Sequence, residues 1–132
     1  MTKITKKMIT ELGNKVVELC QKNWYGDTSV YFNGKRVRLD SGKFDADHNY
    51  HVDVAGVDED CHPGDYFSYY NSNHILSMSF EGELYDALNY GNGSKELEEL
   101  FKQYGVYYEL GNAWNLSVYP NDDKAVVDGY KY

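Results

Sequence analysis

Over the first twenty residues the apolar positions recur at steps of three and four. Ile4, Met8, Leu12, Val16, Leu19 and Cys20 alternate with lysines and glutamates, which predicts an amphipathic helix over residues 4–22. Thr2 or Thr5 is placed to cap it, and Gly13 should weaken its middle by about 1 kcal/mol relative to alanine.

The period then shortens to two. In SVYFNGKRVRL, Asn33-Gly34 supplies the positive φ angles of a type I′ turn. Closing that turn pairs Phe32 with Lys35, Tyr31 with Arg36 and Val30 with Val37. Val30, Phe32, Val37 and Leu39 then share one face, while Tyr31, Arg36 and Arg38 share the other, so turn chemistry and pattern agree on one register. NYHVDVAG alternates Tyr50, Val52 and Val54 against His51, Asp53 and Ala55 and predicts one half-buried strand. DYFSYYNSNHILSMSF predicts a hairpin turning at Asn71-Ser72-Asn73, with Leu76, Met78 and Phe80 inward.

Helical spacing returns with Leu84, Ala87 and Leu88, and again with Leu97, Leu100, Phe101 and Tyr104. Ser94 is a natural N-cap and Gly105 a natural C′ residue for the second of these helices. VYYELGNAWNLSVYP predicts a last hairpin around Gly111-Asn112, and residues 120–132 a loose tail or an edge strand. Helix, strands, two helices and two strands, in that order, define an α+β fold: a single domain over residues 1–132. Its antiparallel sheet has about five to seven strands, with the N-terminal helix and two shorter helices packed on one face.

Charge is distributed unevenly along this plan. Residues 1–43 carry nine Lys/Arg against four Asp/Glu, and residues 44–132 carry four against seventeen, giving the net −8. No lysine or arginine occurs between Lys43 and Lys95. Such a stretch directs a negative potential outward, suited to a basic partner and hostile to nucleic acid. The plainer alternative is a solvated acidic surface. The apolar runs are too short for a membrane span, and the basic N-terminus does not read as a secretory signal. Two cysteines form no disulfide framework, so the expectation is reduced thiols in the cytoplasm.

Residues 45–65 hold three of the four histidines, Cys61 and seven acids, the inventory of a metal or hydrolytic centre. The spacing argues against both. His48 and His51, three apart on a strand, point to opposite faces, and His51 with Asp53 supplies too few ligands for zinc. Neighbouring acids disfavour a Cys61 thiolate beside His62. No phosphate-binding loop or nucleophile elbow occurs. Neither a metal nor another cofactor is therefore expected.

Fourteen tyrosines are unusually many, and the alternation turns Tyr31, Tyr66, Tyr70, Tyr107 and Tyr119 outward as an amphipathic binding platform. The expected function is a non-enzymatic, acidic, tyrosine-rich protein-binding module that occupies the nucleic-acid-binding surface of a basic partner. By size and charge alone it is comparable to the antirestriction and anti-CRISPR inhibitors of mobile genetic elements. The expected contact residues are Asp45, Asp47, Asp53, Asp58, Glu59, Asp60, Asp65, Tyr66, Tyr70, Glu81 and Glu83. The competing expectation is a small hydrolase using His51, Asp53 and His62.

Overall fold

The computed structural model describes residues 3–61, 74–122 and 126–127. After a two-residue strand β1 (Lys3–Ile4), helix α1 (Lys6–Lys22) starts at Thr5, whose hydroxyl accepts the Met8 N–H at 3.1 Å. Strands β2 (Thr28–Phe32) and β3 (Lys35–Leu39) form the hairpin read from the sequence, with Val30 opposite Val37 and Tyr31 opposite Arg36. Asn33 and Gly34 take φ of 51° and 75° at its turn.

The main sheet is completed by β6 (Val54–Asp58), β7 (Leu76–Phe80), β8 (Val106–Asn112) and β9 (Asn115–Pro120), in the order β6-β3-β2-β7-β9-β8. Every neighbouring pair in it is antiparallel. Between β3 and β6, strands β4 (Lys43–Phe44) and β5 (Tyr50–His51) make a separate two-stranded ribbon. Helices α2 (Glu83–Asn89) and α3 (Lys95–Gln103) follow β7, with Ser94 Oγ capping α3 at Leu97 N–H. The tail returns as β10 (Val126–Val127), which pairs with β1 in parallel rather than extending the main sheet.

One core joins Ile9, Leu12, Val16 and Cys20 of α1 to Val30, Phe32 and Val37 of the hairpin and Leu76, Met78 and Phe80 of β7. Leu84, Leu97 and Phe101 bring α2 and α3 to the same side. This is the α+β arrangement the pattern implies. Gly13 faces the Phe32 ring so closely that an added Cβ would sit 2.5 Å from it. The helix tolerates glycine there because the ring needs the space.

The other face of the sheet is polar. Across it run Ser29 opposite Arg38, Ser29 opposite Ser79, and Ser77 opposite Ser117. Tyr31 lies on this face as its register requires, but at 2 % exposure beside Cys61 it is buried rather than displayed. Tyr107 is exposed and Tyr119 half-buried. Tyr66, Tyr70, Asp65 and His62 lie outside the described residues, as does the turn at Asn71-Ser72-Asn73.

Two local readings change. The strand expected from Tyr50 to Ala55 is broken at Val52 and Asp53, so that its first half pairs with β4 and its second with β3. Asp53 causes the break: its N–H donates to the Asp40 carboxylate and its C=O accepts the Asp40 N–H. The last hairpin turns at Ala113-Trp114, not Gly111-Asn112. There the Asn112 side chain accepts the Trp114 N–H and the Asn115 side chain accepts the Asn112 N–H. These amides do the work expected of a glycine, and Gly111 becomes part of a bulge.

Candidate partner-binding surface

At one end of the main sheet four acidic residues are joined in a row by main-chain hydrogen bonds. Glu81 N–H donates to Asp27 C=O at 3.1 Å, Asp27 N–H to Asp40 C=O at 2.9 Å, and Asp40 N–H to Asp53 C=O at 3.0 Å. The row follows from the strand order. Glu81 follows β7, Asp27 precedes β2, Asp40 follows β3 and Asp53 precedes β6, so neighbouring strands each deliver one acid to the same rim. Asp27, Asp53 and Glu81 are exposed and Asp40 is half-buried, its carboxylate turned back to the Gly42 and Asp53 N–H groups. Lys43, at 3.8 Å from Asp40 and 3.5 Å from Asp53, is the cation of this rim. Glu83 opens α2 two residues beyond Glu81.

Beside the rim stands an aromatic corner. Helix α1 ends with Tyr25 N–H donating to Cys20 C=O and Trp24 N–H to Gln21 C=O, the pairing of a Schellman motif. That motif puts its next residue in the left-handed region, usually as glycine. Here it is Trp24, with φ 59°, a conformation that costs a bulky side chain about 1–2 kcal/mol. Its indole N–H donates to Tyr50 C=O at 3.2 Å, and its ring meets Tyr50 edge-on at 6.5 Å. Phe44 also meets Tyr50 edge-on, at 5.2 Å. Trp24 is 54 % and Phe44 69 % exposed. The Tyr50 hydroxyl reaches Ser41 C=O across Gly42, whose φ of 89° and lack of a Cβ make room for it.

The β4–β5 turn extends this corner with more acid. Asp45 accepts the Asp47 and Asn49 N–H groups and pairs with the His51 ring. The Asn49 N–H, then His51 and the Asp47 N–H, hold the Asp45 carboxyl below its ordinary value of 3.8. His48 takes the left-handed position of the turn at φ 64°. Asp47 is exposed.

The structure therefore divides the acids named from the sequence. Asp45, Asp47, Asp53, Glu81 and Glu83 belong to the rim end or its ribbon. Asp58, Glu59 and Asp60 lie at the opposite end of β6, where Cys61 N–H donates to Gly34 C=O and Asp58 holds Arg38 at 2.9 Å. Sequence reading missed Asp27 and Asp40, since both fall in the basic part of the chain. The hairpin register holds the signal: continued outward from Ser29–Arg38, it sets Asp27 against Asp40.

Of the residues of the hydrolase reading, His62 lies outside the described residues, and the other two turn to different partners. His51 turns to Asp45 while Asp53 turns to Lys43. Among the described residues no three His, Cys, Asp or Glu side chains are grouped to hold a metal ion. A cleft of about 410 Å³ opens on the polar sheet face, lined by Ser29, Arg36, Arg38, Ser79, Glu81 and Trp114 among others. In it Arg36 Nε donates to Ser29 Oγ at 2.9 Å, and Arg38 is occupied by Asp58. No helix among the described residues is long and apolar enough to cross a membrane. No protein-family model, curated protein or solved structure matches the chain.

Proposed function

We propose that this chain is a non-enzymatic binding module whose acidic rim and aromatic corner engage a basic protein at the surface that protein uses for nucleic acid. The observation that supports this most is the row Glu81–Asp27–Asp40–Asp53 beside Trp24, Phe44 and Tyr50. Adjacent strands lie about 4.8 Å apart, so the rim sets one acidic residue per roughly 4.8 Å, beside the one phosphate per 3.4 Å of a single DNA strand, with Lys43 offsetting part of the charge at Asp40 and Asp53. Carboxylates in such a row compete for the lysines and arginines that would otherwise meet phosphates. Charge of this kind steers encounter, whereas exposed aromatic anchors hold the complex once formed. Trp24 in a strained backbone position fits that division, since strain persists where function requires the side chain. An inhibitor from a mobile element, acting in the cytoplasm on a nuclease or another nucleic-acid-binding enzyme, is the form of module this reading favours.

The test is competition. Restriction and CRISPR nucleases, presented with the protein and with duplex DNA, should release DNA from at least one enzyme as the protein is added. Simultaneous binding of protein and DNA, or failure to bind any basic enzyme of the panel, would count against the reading.

A further inference from the structure

We infer that β6 is a docking edge to which an extended, basic-flanked segment of the partner adds as a further strand. The inference rests on the proposed function for the charge of its occupant, and on the sheet for the rest. β6 ends the sheet order, with β3 on one side and no strand on the other among the described residues. The β2–β3 turn makes Phe32–Lys35 a hydrogen-bonded pair. Alternation then points the main-chain groups of Arg36 and Arg38 towards their β6 partners Asp58 and Gly56. Val57, between those partners, presents its N–H and C=O outward.

Natural sheets protect such an edge with lysine, proline or a covering element, because an open ladder recruits another strand. The β6 sequence VAGVD has neither lysine nor proline, and Val54 and Val57 are 43 % and 49 % exposed. Acids frame it instead: Asp53 before it, then Asp58 within it and Glu59 and Asp60 after it. The opposite edge, β8, carries Glu109 alone. Two copies pairing antiparallel through β6 would set Asp53 of each against Asp58, Glu59 and Asp60 of the other, and like charges across a ladder repel. A segment with lysine or arginine at both ends meets attraction at the same two places. Strand addition supplies main-chain hydrogen bonds, and the flanking charges choose the partner and its register.

The experiment uses a synthetic peptide of alternating valine and threonine with Lys-Arg at each end, and a twin N-methylated at alternate residues. The twin keeps the charge and loses the donors. With the first peptide the Val57 amide should become protected from hydrogen exchange. The twin should bind about tenfold more weakly, as the loss of two or more hydrogen bonds implies. Val57→Pro, tolerated at an edge because its N–H points outward, should weaken the first peptide by a similar factor while the fold is kept. Equal binding of both peptides, with shifts at the acids but none at the Val57 amide, would overturn strand addition yet leave the acidic module standing. Absence of binding by either peptide would overturn it, as would protection of Val57 that rises with protein concentration alone. The competition with DNA is a separate readout, so the two readings fail separately.

Discussion

Gly13→Ala is a sign test of the packing of α1 against Phe32. In the interior of a helix this change normally stabilises by about 1 kcal/mol, because alanine restricts the unfolded chain and glycine does not. Here the new Cβ would lie 2.5 Å from the Phe32 ring carbons Cδ2 and Cγ and 2.6 Å from Cδ1. Phe32 is 1 % exposed in the core, so the ring cannot swing out into solvent, and relieving the contact means shifting β2 or α1. Overpacking of this kind costs about 1–3 kcal/mol, which cancels the propensity gain and leaves a net loss of up to about 2 kcal/mol. With an unfolding entropy of about 2.1 cal/mol/K per residue, a chain of this length should lose up to about 7 °C in Tm. Calorimetry and urea titration of Gly13→Ala, Phe32→Leu and the double variant would measure it. The double variant should be more stable than the sum of the singles predicts, since the smaller side chain removes the clash. A higher Tm for Gly13→Ala would refute the packing.

Other expectations follow from local geometry. Trp24→Gly should leave Tm unchanged or raise it, because relief of the left-handed strain offsets the lost ring contacts, while affinity for a basic partner falls by about tenfold; a large fall in Tm would place Trp24 in the fold rather than the surface. The folded Asp45 carboxyl lies below its unfolded value, so its contribution to stability is present above that unfolded value and lost as pH falls through the folded one. Asp45→Asn should accordingly flatten the acid limb of a pH–stability curve, and an unchanged limb would contradict the turn described here. Burial pushes the Cys20 thiol up to about 12 from 9.0. Stability should therefore fall as pH rises through that interval, since the unfolded thiol loses its proton first, and iodoacetamide should label Cys20 only when denaturant opens the core. Labelling in the native state would show otherwise.

The sequence was most informative where two local signals coincide. Asn33-Gly34 and the Val30/Phe32/Val37/Leu39 alternation each imply the same hairpin, and the register is the one observed. Helices α1 and α3 likewise combine period with cap, at Thr5 and Ser94. Alternation alone misled at Tyr50–Ala55, because the pattern runs unbroken through a kink made by tertiary hydrogen bonds to Asp40. Glycine alone misled at the last turn, where two asparagine side chains took over the turn chemistry. For the surface, the acidic bias of residues 44–94 pointed to half of the rim. The other half, Asp27 and Asp40, was hidden in a net-positive segment, since net charge along the chain does not register which strand ends meet in space. Trp24 and Phe44 carried no periodic signal, and only the strained helix end and the ribbon bring them together.

Association kinetics put the acidic rim to the test. Stopped-flow rates with a basic nucleic-acid-binding enzyme should be compared, across a salt series, for the unaltered protein and for Asp27→Asn/Asp53→Asn/Glu81→Gln. If the rim guides encounter, the variant should associate several-fold more slowly at low salt. The two proteins should converge near 1 M salt, where screening shortens to about 3 Å, and dissociation should differ little. Equal association rates at every salt concentration would contradict the account.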